Sequence, residues 1–319
     1  MSQNRYAADP LRSVGERWFS DSTPFREDMN RYWGDWGVDS ECGQLRSVLM
    51  RRPGPEIDGL TDAVAIRFKE LPDPEKARDQ HDRLAELYGE HGVTVHYVED
   101  MAPDKPNGMF CRDLCVMTPE GAIVTRPGLT LRRGEERYVA QALGRLGVPI
   151  AKTINGRATF EGADLMWVDS RTVLLGLGNR SNLEGCQQVE RELRNMGVED
   201  IIYVQVPYGS AHLDGFINIA GPRTAVCFPW QTPYVVAEAL KRRGFHILEV
   251  ANIRELRTSM VINFVALAPD VIVVAEGAPE TTGMYRQAGI EVIQVDVSEL
   301  MKGWGSVHCL TTFLKRDPV

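Results

Sequence analysis

The chain lacks long apolar runs, an excess of positive charge and any pairing pattern among its cysteines, and each absence removes a class of protein. Its most apolar stretch, MVINFVALAPDVIVVA (260–275), is broken by Asn263, Pro269 and Asp270, so it does not read as a membrane span, which needs roughly 20 apolar residues. Lys and Arg number 36 against 44 Asp and Glu, a formal net charge of −8. Sequence-independent nucleic-acid binding needs the opposite balance. The six cysteines (42, 111, 115, 186, 227 and 309) show neither zinc-site spacing nor a secreted disulfide framework. As a group they read as small buried hydrophobes. The opening MSQNRYAADP has no apolar segment of the secretory type, so a cytoplasmic location is expected.

What the 319 residues do contain is a repeat, within a composition (43% apolar, 25% charged) that suits a globular protein with a sizeable core. Segments 114–128, 165–178, 216–229 and 260–277 each read as two short β-branched strands around a polar turn such as Pro-Glu-Gly or Gly-Pro-Arg. An amphipathic helical stretch follows each one (133–146, 183–197, 232–244, 278–288), and then a third strand: VPIAKTI, IIYVQVP, FHILEV, EVIQVDV. The period is 48–51 residues. A fifth helix, 75–92, joins LRSVLMRRP to VTVHYV. That first strand has no hairpin mate nearby, and neither has the last, HCLTTFLKR. Paired with each other they complete a fifth ββαβ unit and close a ring, which removes exposed edges. The expected fold is therefore α/β, a five-bladed pseudo-symmetric α/β propeller forming one domain over 39–319. Residues 1–38, with Trp18, Trp33 and Trp36, form a helical or irregular N-terminal extension. It is free to cap the domain or to meet a second subunit, so homo-oligomerisation stays open.

Reactive residues recur at matched places in these units: FCRDL (110–114), FEGADL (160–165), HLDGF (212–216) and HCLTT (308–312), each expected at the start of a strand. A lone strand cysteine is usually core and a lone histidine usually structural; the matched positions are what give these residues weight. Strand alternation places i and i+1 on opposite faces and i and i+2 on one. With Cys309 facing the centre, His308 faces away, whereas His212 and Asp214 share a face. His212 is thus the better acid/base partner for a Cys309 nucleophile, and the spacing argues that replacing His212 harms activity more than replacing His308. Carboxylates grouped around one thiol and one imidazole repel anions and suit a planar cation with several N–H donors. A bound guanidinium would also favour the neighbouring thiolate. Neither HLD nor C-x3-C is a ligand set for a metal, and a thiolate attacks without one, so no metal and no cofactor is expected.

Taken in order, RSVLMRRPGPE, FCRD, AIVTRPGLTLRRGEE, FEGADLMW, LGLGNRSNLEG, HLDGFINIAGP and HCLTT resemble the guanidine-modifying, or pentein, superfamily from about Asp39 to the C-terminus. It includes arginine deiminases, dimethylarginine dimethylaminohydrolases and amidinotransferases. The resemblance implies Cys309 as nucleophile, His212 as acid/base and Glu161 as the carboxylate orienting it. It implies Asp113 and Asp214 as the grip on the guanidinium, Arg132 and Arg180 as binders of a substrate α-carboxylate, and Asp164 as a structural member of the EGAD turn. The expected activity is hydrolysis of arginine or an N-substituted relative to a ureido product, with release of ammonia or an alkylamine. Two alternatives share these residues: an amidinotransferase, and a non-catalytic amino-acid-binding member of the fold. FEGAD and HLDGFINIAGP lean toward amidinotransferases, which usually carry Asp where this chain has Glu161.

Overall fold

The computed structural model describes residues 22–319. Trp18 and the rest of 1–21 lie outside the described residues. Helix α1 (Phe25–Tyr32) leads into a segment whose Gly37 donates its N–H to Leu314 O (3.0 Å) and whose Val38 donates to Thr118 O (3.3 Å). The end of the N-terminal stretch is thereby laid across two blades.

Five three-stranded sheets follow. Blade 1 holds β1 (Leu45–Met50) and, after α2 (Pro74–Glu90), β2 (Thr94–Tyr97). Blade 2 holds β3 (Cys115–Thr118), β4 (Gly121–Val124), α3 (Glu135–Leu146) and β5 (Ile150–Thr153). Blade 3 holds β6 (Leu165–Asp169), β7 (Thr172–Leu177), α4 (Leu183–Asn195) and β8 (Asp200–Gln205). Blade 4 holds β9 (Ile217–Gly221), β10 (Thr224–Cys227), α5 (Tyr234–Arg242) and β11 (His246–Glu249). After α6 (Ile253–Ser259), blade 5 holds β12 (Val265–Ala268), β13 (Val271–Ala275), α7 (Pro279–Gln287) and β14 (Glu291–Val295). The last strand, β15 (Thr312–Arg316), pairs antiparallel with β1, with Val48 opposite Phe313. The ring closes as the unpaired end strands required, and the fold is the five-bladed α/β propeller.

Local chemistry explains the units. Each hairpin is antiparallel, and the third strand returns parallel through a helix, the connection that parallel pairing demands. The turn at Gly121 (φ +121°) admits no other residue, because a Cβ there would stand 2.4 Å from Pro149 O. Each helix buries one face; α2 places Ala77, Leu84 and Tyr88 against blade 1, and burying a leucine in this way stabilises by roughly 1.5–3 kcal/mol. No helix of the described residues is long and apolar enough to cross a membrane.

One expectation needs correcting. The reactive motifs do not begin strands. Cys111–Asp113, Gly162–Asp164 and Leu213–Gly215 are single 3₁₀ turns that enter β3, β6 and β9, and Cys309 lies in a turn three residues ahead of β15. Strand alternation therefore does not aim these side chains. In such turns successive side chains diverge by roughly 120°, which still separates Cys309 from His308.

Candidate active site

The turns meet at one end of the hub, around a cavity of about 890 Å³ lined by Asp113, His212, Asp214, Asn263 and Cys309 among others. Asp113 enters from blade 2, His212 and Asp214 from blade 4, Asn263 from the start of blade 5 and Cys309 from the turn ahead of the strand that closes blade 1. Glu161, from blade 3, is fully buried behind His212.

His212 is held from both sides. Its Nε2 lies 2.7 Å from Glu161 Oε2, and its Nδ1 lies 3.7 Å from Asp113 Oδ1. Glu161 also accepts from Gly128 N (2.9 Å) and Arg180 Nη1 (3.1 Å). Ser181 Oγ bridges the backbone N–H of Glu161 to Asp164 (3.1 and 2.5 Å), so Asp164 braces the turn. Burial alone would depress the His212 pKa, but Asp113 and the Glu161 bond outweigh it and push it up to about 10. Burial opposes ionisation of Glu161 too, yet the bond to His212 and the nearby arginines hold its carboxyl down at about 2. Imidazolium and carboxylate form one buried ion pair. The Cys309 thiol moves the other way: burial, then Asp214 and Asp113, push it well above the ordinary thiol range, against a bond from Asn263. These shifts favour the thiol form of the sulfur and the charged form of the imidazole at neutral pH.

In the sequence Asn263 interrupts an apolar run; in the structure it holds the cysteine turn. Its Oδ1 accepts the backbone N–H groups of His308 (3.1 Å) and Cys309 (3.2 Å), while its Nδ2 lies 3.2 Å from Cys309 Sγ. One side chain thus clamps the cysteine turn and touches the sulfur. The signal was available: a polar residue at the entry to the fifth unit, where other units carry Asp113, Glu161 and Asp214. Asn263→Ala strands the buried N–H of Cys309, at about 1–3 kcal/mol, while the His308 N–H keeps its bond to Asn263 O (3.3 Å). A lower Tm and a drop of at least tenfold in kcat are expected, read by thermal unfolding and steady-state kinetics.

His308 lies beneath the cavity. Its Nδ1 is 2.8 Å from Asp214 Oδ2, and that oxygen is 3.5 Å from Cys309 Sγ. Its Nε2, without a hydrogen-bond partner among the described residues, lies 3.7 Å from the equally unpartnered Oε2 of buried Glu41. Glu41 Oε1 accepts from Arg112 (3.1 Å) and Trp167 N (3.2 Å). Against the cost of burial, Arg112 and His308 hold the Glu41 carboxyl at about 2. His308 therefore meets the sulfur only through Asp214. His308→Asn keeps a donor near the Nδ1 position and should retain more kcat than His308→Gln; equal kcat for the two would refute an action through Asp214.

The two arginines are engaged within the protein. Arg132 pairs with Asp113 and with Glu135 (2.9 Å) and donates to Asn107 O and Phe110 O (3.3 and 3.1 Å). Arg180 pairs with Glu161. Among the described residues Asp113 Oδ1 is buried with no hydrogen-bond partner, an acceptor 3.7 Å from His212 Nδ1. Ligand atoms of Asp113, Glu161 and His212 lie within 4.8 Å of one another, close enough to hold a metal ion. Their carboxylates are already neutralised by Arg132 and Arg180, which weakens the attraction for a cation there.

Thiol, imidazolium and carboxylates at the hub of five ββαβ units are the architecture of guanidine-modifying enzymes. Residues 63–316 match the family model described as N,N dimethylarginine dimethylhydrolase, eukaryotic, and the chain belongs to that family, within the pentein superfamily of enzymes acting on guanidino C–N bonds. The chain is 28% identical over 272 residues to an N(G),N(G)-dimethylarginine dimethylaminohydrolase of Streptomyces coelicolor, covering 85% of this chain and 97% of the relative. It is 22% identical over 398 residues to an arginine deiminase of Rhodococcus erythropolis, covering 89% and 98%. The fold is shared with a solved variant of the dimethylarginine dimethylaminohydrolase of Pseudomonas aeruginosa complexed with citrulline (TM-score 0.71, 23% identity, 85% of this chain and 99% of that one).

Proposed function

We propose that the protein hydrolyses arginine or an N-substituted arginine-like guanidine through a covalent adduct on Cys309. The observation that supports this most directly is the convergence, in one buried cavity, of Cys309 with the charged His212–Glu161 pair and the open acceptor of Asp113. A guanidinium seated against Asp113 and Asp214 brings positive charge to the sulfur and offsets the two carboxylates that keep it protonated. Once the thiol proton is lost to solvent, the thiolate adds to the guanidinium carbon. His212 gives its proton to the departing nitrogen, and ammonia or an alkylamine leaves a thiouronium on Cys309. His212, now neutral, takes a proton from water; hydroxide adds to the same carbon, the S–C bond breaks, and the added hydroxyl loses its proton to solvent as it becomes the ureido carbonyl. The products are a ureido compound and the regenerated thiolate. In this reading Arg180, with Arg132 behind it, faces the α-carboxylate, so substrates bearing one are preferred over agmatine.

Mass spectrometry of a panel of arginine, methylated arginines, agmatine and guanidino acids in ¹⁸O-water tests the reading. One labelled oxygen in the ureido product, independent of added amine, is expected. Turnover that requires an amine acceptor and leaves no label would assign an amidinotransferase instead.

A further inference from the structure

The same cavity has an outer half that this reaction does not use. Arg67, Lys69 and Arg257 line it, all three exposed, and among the described residues none has a carboxylate partner. The inner arginines differ, since Arg132 and Arg180 are both paired. At about 890 Å³ the cavity lies toward the upper end of the roughly 300–1,000 Å³ of drug-sized ligand sites, more than free arginine fills.

The outer wall is also held in costly conformations. Four non-glycine residues among those described have positive φ, and three of them, Arg67 (63°), Met260 (46°) and Trp304 (66°), line this cavity. Each such residue costs on the order of 1–3 kcal/mol, and they collect at ligand clamps. Neighbouring bonds hold the segment of Arg67 in place. Asn107 Nδ2 donates to Ile66 O (3.0 Å), Lys69 N donates to Lys302 O (2.7 Å), and the Lys69 ammonium lies 5.8 Å from the Trp304 ring centroid.

We propose that Arg67, Lys69 and Arg257 form an anion-reading subsite, and that the substrate is an arginine-like guanidino acid carrying a further negatively charged group beyond its own α-carboxylate. The inference rests on the guanidine-hydrolase reading above. With the guanidinium against the inner carboxylates, an extended ligand places its extra charge among cations that free arginine leaves facing water. The inner anions and outer cations then orient one dipolar ligand from both ends.

The test compares acetyl-Glu-Arg with acetyl-Gln-Arg, and Arg-Glu with Arg-Gln, pairs equal in size and differing by one charge. In the wild type, kcat/KM at least tenfold higher for the charged member of one pair, and higher than for free arginine, is expected. The Arg67→Gln/Arg257→Gln double variant should equalise that pair through KM while leaving kcat on arginine unchanged. Calorimetric binding of the same peptides to Cys309→Ser separates subsite from chemistry. Charge-selective binding without turnover of any guanidine would remove the hydrolase reading and support the subsite. Equal kcat/KM and equal binding within both pairs, or charge selection that survives in the double variant, overturns the subsite.

Discussion

Replacing Cys309 by alanine is expected to abolish turnover of every guanidine, by roughly 10⁴-fold or more, as when a nucleophile acting in a linked constellation is removed. The side chain is small and 7% exposed, so the variant should fold with near-native Tm, although Asn263 Nδ2 and Asp214 each lose a contact to sulfur. Intact-mass analysis of acid-quenched wild-type reactions should show a covalent adduct that the variant lacks. The electrostatics add a second reading of the same experiment. Since burial and two carboxylates push the thiol well above its ordinary range, alkylation of wild-type Cys309 should be slow near neutral pH. A guanidinium ligand too small to block the sulfur should accelerate it. Full turnover by Cys309→Ala would end the covalent mechanism.

His212→Gln is expected to lower kcat by on the order of 10³-fold, the scale of a lost general acid and base. The reason lies in the pair with Glu161. The His212 pKa is raised from 6.5 to about 10, so the imidazole arrives at the reaction carrying the proton that the leaving nitrogen needs. Wild-type kcat/KM should decline as pH rises through about 10, and that limb should vanish in the variant. Stability follows the same groups. The folded pKa of His212 exceeds its unfolded value, so its contribution is complete below about 6.5 and is lost as pH rises through about 10. Glu161 is shifted down from 4.5 to about 2, so its contribution is present above about 4.5 and is lost as pH falls through about 2. Both limbs describe one ion pair, and thermal unfolding against pH should show them weakened in His212→Gln. An unchanged alkaline limb of kcat/KM in that variant would assign the proton to another group.

The repeat made the fold legible. Turn residues and β-branched runs are local signals, and two unpaired terminal strands left one way to complete a fifth unit, which the β1–β15 register fulfils. The site was legible to the extent that its residues sat in matched motifs. Cys309, His212 and Asp113 do meet in one cavity, but the alternation argument that selected His212 over His308 does not apply, because those residues occupy turns. Glu41 carried no signal, since it belongs to no repeated unit and matters only because the chain brings it under His308. Asn263 looked like a defect in an apolar strand until the cysteine turn was seen folded onto its amide.

By itself the sequence determined the number of blades, their order and the residue types delivered to the hub, because strand period and turn chemistry are set by neighbours a few residues away. Only the tertiary structure decided which partner each charge takes: Arg132 for Asp113, Glu161 for His212, Asp214 for His308. Those pairings join residues up to 94 positions apart, and their energies depend on burial and on distances of a few ångströms that no local pattern encodes.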